Sequence, residues 1–414
     1  MSQPKMQAQL SHLPSEIIHY IIEDLDFKVL CCLRLTNRRL DGFARGYLLK
    51  IAKEIAFPKQ EYYDMANVKL IPDNTVSHEY DGFVDIPHRL HEGHDRDLEV
   101  FADLVNGGAY HSVKLFLDAG VFANALDLCG RTMLHLCVRN GDVELANLLL
   151  DRGADPNCTM RYGFSPMHFL RFAPPKSQEA LAWLLLDKGY KVPDNVGWLF
   201  RSICQASCAL KLIRYMVEED LIDINKSMDL KGKRCTALHI AAEFANSTDI
   251  LEYLLSVKPS LLNMYGTSLQ RTAYGYECVE SRPSNAVYLL NKGINFLPED
   301  VEPTVAAIIR LESAVSLNRL DVIRALLARG ELWGWGDETW EHDVALQLEP
   351  LESAIEYQYL TAMELLLENR QFPYDQVLID KCEKLASAWG CLEGSRLLQA
   401  KQILQKLKQA MGIQ

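Results

Sequence analysis

Residues 131–157 read Arg131-Thr132-Met133-Leu134-His135-Leu136-Cys137-Val138-Arg139-Asn140-Gly141-Asp142-Val143-Glu144-Leu145-Ala146-Asn147-Leu148-Leu149-Leu150-Asp151-Arg152-Gly153-Ala154-Asp155-Pro156-Asn157. Arg131 to Cys137 opens a short apolar helix. Gly141 ends it, because the tight turn there needs a positive φ. Val143 to Leu150 is a second helix with an apolar stripe at Leu145, Leu148 and Leu149. Gly153 stops that helix, and Ala154 to Asn157 is a turn built of residues suited to turns. The pattern recurs. Leu115-Phe116-Leu117-Asp118-Ala119-Gly120 and Leu148-Leu149-Leu150-Asp151-Arg152-Gly153 lie 33 residues apart. The same offset relates Gly108 to Gly141, Asn124 to Asn157, Thr132 to Ser165 and His135 to His168. One such helix pair cannot bury its own apolar face, so the copies must stack.

The segments Thr132-Met133-Leu134-His135, Ser165-Pro166-Met167-His168 and Thr236-Ala237-Leu238-His239-Ile240-Ala241 resemble the Thr-Pro-Leu-His-x-Ala core of the ankyrin family. The resemblance implies an all-α solenoid of about eight repeats over residues 97–400, several of them degenerate. Residues 98–124 lack the Thr-x-Leu-His element and read as an opening cap. Ala180 to Gly189 repeats the second helix at an offset of 36, with Ala173 to Lys176 as extra loop. Trp198 to Asn225 holds another pair, and Arg271 begins one that ends at Gly293. Leu311-Glu312-Ser313-Ala314 and Leu351-Glu352-Ser353-Ala354 each start a further pair. Val377 to Gln409 is expected to close the array with a Lys/Gln-rich helical end cap. The family likeness implies that His135, His168 and His239 tie neighbouring turns together by hydrogen bonds, rather than binding metal.

The N-terminus departs from the period. Pro14 suits the first turn of a helix. Ile17, Ile18, Ile21, Ile22 and Leu25 then form one apolar face at helical spacing. A second helix carries Leu30, Leu33 and Leu35, and a third Leu40, Phe43, Ala44, Tyr47 and Leu48. Three short helices bury little surface alone and call for a partner. Residues 10–50 resemble an F-box: Leu13, Pro14, Glu16, Ile17, Ile21, Leu25, Leu30, Leu33 and Arg38 fall into that family's pattern, with Leu40 where many members carry Trp. The resemblance implies an adaptor-binding hook made by Leu13, Pro14, Ile17, Ile21, Leu25, Leu30 and Leu33. Its partner would be the Skp-family adaptor of a cullin–RING (SCF) ubiquitin ligase, with the array holding a target protein nearby. The alternative is that these helices merely cap an ankyrin interaction scaffold. The two differ in whether Ile17, Ile21 and Leu25 face solvent or pack on residues 95–125. Residues 51–96 read as a connector that sets the distance between adaptor and target. Within it His88, His91 and His94 recur every three residues, without the cysteine or carboxylate partners of a zinc site.

Composition narrows the function. Of 414 residues, 49% are apolar and 24% charged, as in a packed globular chain, and the formal net charge is −12. Residues 1–59 hold nine Lys/Arg against six Asp/Glu, which leaves 34 against 49, about −15, for the long C-terminal part. Such a surface repels phosphate, which argues against nucleic acid as a partner and steers basic targets toward it. No apolar run approaches the roughly 20 residues that cross a bilayer, so no membrane association is expected. Met1 to Gln9 is polar, which predicts a cytoplasmic or nuclear chain whose eleven cysteines are reduced and mostly buried. Cys204 and Cys208, one helical turn apart, read as core positions of a helix. Asn246-Ser247-Thr248 matches a glycosylation sequon that is inert without a secretory route. Trp333, Trp335 and Trp340 follow Gly330 in a loop and are candidate target-binding anchors, or else they cover a widened gap between repeats. No nucleophile–base pair, metal spacing or phosphate loop stands out. The chain is therefore expected to be non-enzymatic, with no cofactor.

Overall fold

The computed structural model describes residues 38–56, 96–264 apart from 128, 161, 162, 195, 231 and 232, and 273–294 apart from 275. It also describes 303–329, 359–368 and the single positions 14, 15, 18, 21, 350, 353, 354, 357 and 405. Two compact units emerge, one of Met1–Val192 with Ala206–Cys208, the other of Pro193–Gln205 with Ala209–Gln414.

The first unit begins with Pro14, Ser15 and Ile18, where the Ile18 amide donates to the Pro14 carbonyl at 3.1 Å in a first helical turn. A 19-residue helix follows, α1 (Arg38–Ala56). Its stripe Ala44, Leu48 and Ala52 has no exposed surface. That spacing of four keeps one face on the neighbours, which are α3 (Tyr110–Asp118) and α2 (Arg96–Asn106). The helix thus runs through residue 50, the end of the F-box-like stretch, and into the expected connector as far as Ala56. Helices α2 and α3 are a complete pair, sealed by Phe101 stacked on Phe116 at 5.8 Å between ring centres. Residues 98–124 are a full repeat, and α1 covers their outer side.

The next pair is α4 (Met133–Asn140) and α5 (Val143–Asp151). Thr132 caps α4 and Gly141 closes it at φ 76°. Any side chain at Gly141 would collide with Pro174 and Ser177, the Pro174 Cδ lying 2.5 Å from where a Cβ would stand. In the following repeat the first helix is a 3-10 helix, Pro166–Phe172, and the second is α6 (Pro175–Asp187). Ala173 stands before proline and is extended, which ends the first helix early. The expected extra loop at 173–176 is therefore shorter. Pro175 is the first residue of α6, where a missing N–H costs nothing, so α6 has 13 residues against nine in α5.

In the second unit α7 (Gly197–Cys204) and α8 (Ala209–Glu218) form a pair. An antiparallel hairpin follows, β1 (Met228–Leu230) and β2 (Lys233–Cys235), with Met228 opposite Cys235. The sequence reading did not anticipate these strands. Met228 and Leu230 point inward and Asp229 outward, the alternation of a half-buried strand. The pairs α9 (Ala237–Phe244) with α10 (Asp249–Val257), and α11 (Tyr276–Ser281) with α12 (Pro283–Asn291), follow. Then come α13 (Pro303–Ser316), α14 (Leu320–Arg329) and α15 (Leu360–Glu368). Leu311 sits inside α13 rather than at its start, because Pro303 supplies an earlier first turn. Among the described residues the fold is a succession of helical repeats, as expected, with one small hairpin added.

Candidate protein-interaction surface

The repeat histidines are structural. Thr132 N–H donates to His135 Nδ1 at 3.2 Å, and the Thr132 hydroxyl lies 2.7 Å from the same nitrogen. Nδ1 accepting means Nε2 carries the proton, and it donates to the Phe164 carbonyl of the next repeat at 3.0 Å. Burial lowers the His135 pKa to about 4, only partly offset by the Phe164 bond. His168 repeats the motif with Ser165 at 2.9 Å and is driven to about 3 by burial. The Ser165 hydroxyl also meets the buried Tyr190 hydroxyl at 3.0 Å. His239 pairs with Thr236 at 2.7 Å. Both imidazole nitrogens of His135 are used within the chain, which leaves none for a metal. Among the described residues no cluster of three or more His, Cys, Asp or Glu could hold one.

Asparagines staple the turns. Asn124 donates to the Gly153 carbonyl at 3.3 Å and accepts the Asp155 amide at 2.8 Å. One repeat on, Asn157 donates to Gly189 at 3.1 Å and accepts from Lys191 at 2.7 Å. Asn246 joins three successive repeats of the second unit. It donates to the Gln205 carbonyl at 2.8 Å and accepts from Arg282 at 2.9 Å. The sequon asparagine thus has a structural task. Asp127 braces the first turn by accepting the Cys129 and Arg131 amides at 2.9 and 2.8 Å and pairing with the Arg131 guanidinium at 2.7 Å.

These bonds hold the turns in place, so exposed side chains between them form a preorganised surface. Residues 133–138 of α4 are buried throughout; exposure begins at Arg139 and Asn140. Phe172 stands 33 residues after Arg139 and is 42% exposed. The Arg171 guanidinium lies 4.5 Å from the centre of its ring, and Phe169 is 5.9 Å away. Phe172 escaped the sequence reading, although the exchange of Arg for Phe at an equivalent outward position was a signal. Among the described residues Phe122, Leu221, Val257 and Tyr357 are the other large exposed apolar side chains, Tyr357 stacking on Tyr359 at 5.8 Å.

Of the adaptor-binding candidates, Pro14 is exposed and Ile21 half-buried, while Ile18 beside them is buried. Leu13, Ile17, Leu25, Leu30 and Leu33 lie outside the described residues, as do Trp333, Trp335, Trp340 and the histidines 88, 91 and 94. Cys204 and Cys208 are both buried. They do not share a helix: Cys204 ends α7 and Cys208 sits in the turn before α8. Burial pushes the Cys204 thiol well up, so it is un-ionised at neutral pH. No described helix is long and apolar enough to cross a membrane.

Family models of ankyrin repeats match residues 101–196, as three copies, and residues 233–263. No F-box is detected by these comparisons. An ankyrin repeat protein of Fowlpox virus is 39% identical over 61 residues, 14% of this chain and 18% of that protein. The E3 ubiquitin-protein ligase KEG of Arabidopsis thaliana is 29% identical over 116 residues, 27% of this chain and 7% of that one. The chain thus spans less than a fifth of either relative's length. The ankyrin repeat domain of human ASB11 superimposes with a TM-score of 0.41 at 19% identity, covering 58% of this chain and 99% of that domain. The family-model matches, with the capped turns and the His135 bond between repeats, identify residues 101–196 and 233–263 as ankyrin repeats.

Proposed function

We propose that this chain is a substrate receptor of an SCF-type ubiquitin ligase. Its N-terminal helices dock the Skp-family adaptor, and through it a cullin, while the ankyrin surface holds a protein target. The work is proximity: a target held on the same body as the ubiquitin-charged enzyme reacts nearly intramolecularly. The proposal assigns no catalytic step and no cofactor to this chain, and places it in the cytoplasm or nucleus.

The observation carrying the reading is the split along the first turn. Ile18 is buried, yet Ile21 keeps part of its surface open, and Pro14 is exposed. An apolar side chain left open beside a buried one is what a docking helix presents. A second reading, a scaffold without ligase role, draws on α1, which covers the first repeat pair as an ordinary cap would. Both readings use the repeats as a protein-binding module. A pull-down with purified Skp-family adaptor separates them. The full chain should be captured, and an Ile17→Asp/Ile21→Asp double variant should not, because charges buried unpaired in the interface are prohibitive. Failure of the folded wild-type chain to bind would leave the scaffold.

A further inference from the structure

We propose that the ends of α8 and α10, the second helices of two successive repeats, form a docking patch for a protein target. The patch takes a segment that carries an apolar residue flanked by lysine or arginine. This rests on the reading, common to both alternatives above, that the repeats bind a protein, and it is independent of the adaptor.

Two departures from the repeat make the patch. In four repeats a glycine in the left-handed region follows the second helix: Gly120, Gly153, Gly189 and Gly293. The next residue, Val121, Ala154, Tyr190 or Ile294, donates its amide to the carbonyl five residues back and buries its side chain. After α8, Asp220 takes the glycine's place at φ 53°. Leu221 makes the same bond, to Met216 at 2.8 Å, yet its side chain is 40% exposed. Ile222 donates to the same carbonyl at 3.0 Å and takes the buried place instead. One extra residue thus turns a leucine outward. The second departure is Val257. Helices α3, α5, α6, α8, α12 and α14 end on Asp118, Asp151, Asp187, Glu218, Asn291 and Arg329, all polar. Helix α10 ends on Val257, which is 49% exposed. Apolar side chains stand open where the other repeats place buried or polar ones, which calls for a partner.

The two helix ends are neighbours. Helix α8 packs on α10. The Arg214 guanidinium lies 5.3 Å from the centre of the Tyr253 ring, and Lys258 donates to the Asn225 side chain at 2.7 Å. Tyr253 and Val257, four residues apart, share a face of α10. Corresponding ends touch in the first unit, where Lys188 meets Asp151 at 2.7 Å. Charge names the occupant. Glu218, Glu219, Asp220 and Asp223 are exposed before and after Leu221, with no basic residue among them. Lys258 is held by Asn225, and Lys226 reaches Asp223 only at 3.9 Å. An acidic rim about an apolar centre selects an apolar side chain with cationic neighbours and repels an acidic segment.

The test is selection of random dodecapeptides displayed on phage against the full chain, followed by fluorescence anisotropy of the enriched peptides with purified variants. Enriched peptides should carry an aliphatic or aromatic residue beside Lys or Arg, and should bind more weakly as salt rises. A Leu221→Asn/Val257→Asn variant should weaken them by about tenfold or more, and so should Glu218→Lys/Glu219→Lys. All four positions are exposed, so both variants should keep the fold, which unchanged amide exchange in α8 and α10 checks. Phe172→Ser should leave the affinity as it is. Enrichment of acidic peptides, or binding indifferent to both double variants, overturns the proposal. A dimer of the full chain that Leu221→Asn/Val257→Asn dissolves, seen by sedimentation, also overturns it, since a second copy would then be the occupant. Peptides lost with Phe172→Ser instead overturn the patch alone and leave the repeats a protein-binding module. No enrichment at all overturns the patch and that module reading together.

Discussion

Two glycine-to-alanine substitutions should change stability in opposite directions. Gly197 is the first residue of α7, and β1 lies directly on it. A Cβ there would stand 2.7 Å from the Asp229 carbonyl carbon and closer still to its oxygen. Backbone cannot swing aside as a flexible side chain can, so the strand must retreat by on the order of an ångström. Met228 and Leu230, 2% and 5% exposed, hold that strand down. Each is worth roughly 1.5–3 kcal/mol when fully buried, so partial loss of both puts Gly197→Ala at about 2–4 kcal/mol destabilising. Gly46 is in the interior of α1, with open space around it. There alanine gains helix propensity, and Gly46→Ala should stabilise by up to about 1 kcal/mol. A repeat array need not unfold in one step, so the readout should be local amide exchange in β1 and β2 for one variant and in α1 for the other. Exchange in the hairpin unchanged by Gly197→Ala, or slowed by it, would refute the packing argument.

Further outcomes follow from the same contacts. Gly141→Ala combines a φ of 76° with a collision against Pro174, and should cost about 2–3 kcal/mol by denaturant titration of the first unit. His135→Leu leaves the Thr132 amide buried without its partner and takes from the Phe164 carbonyl one of its two donors, the Met160 amide at 2.9 Å remaining; a loss of about 1–3 kcal/mol is expected in the same titration. Stability should also fall with acid. His135 and His168 have folded pKa values of about 4 and 3 against an unfolded 6.5, so the unfolded chain binds more protons between these limits. Their contribution is complete above pH 6.5 and is lost as pH drops toward 4 and below, about 3 kcal/mol for His135 alone. His135→Gln should flatten the stability–pH slope between 6.5 and 4; an unchanged slope would show that other groups set it.

Much of this architecture was legible in the sequence because period and turn chemistry agree. Thr132, His135, Gly141 and Asn157 each announce a local geometry, and each takes it up. The reading went astray where the period was altered. Pro174-Pro175 looked like loop because prolines punctuate, yet Pro175 occupies the first turn of a helix that tolerates it. Between Val196 and Thr236 the spacing grows, and the extra residues make a hairpin whose alternation, Met228-Asp229-Leu230, is too short to stand out. Site residues were less legible. Exposure is a tertiary property, so Phe172 could be found only by comparing it with Arg139 one period earlier. Trp333, Trp335 and Trp340 rest on composition alone.

The most direct test of the receptor account is a hydrogen-exchange footprint of the Skp-family adaptor on the full chain. The account predicts slowed exchange concentrated in residues 13–33, with the repeats at 133–264 unaffected and free for a target. No protection anywhere at saturating adaptor, or protection on the repeats in place of the N-terminal helices, would contradict it.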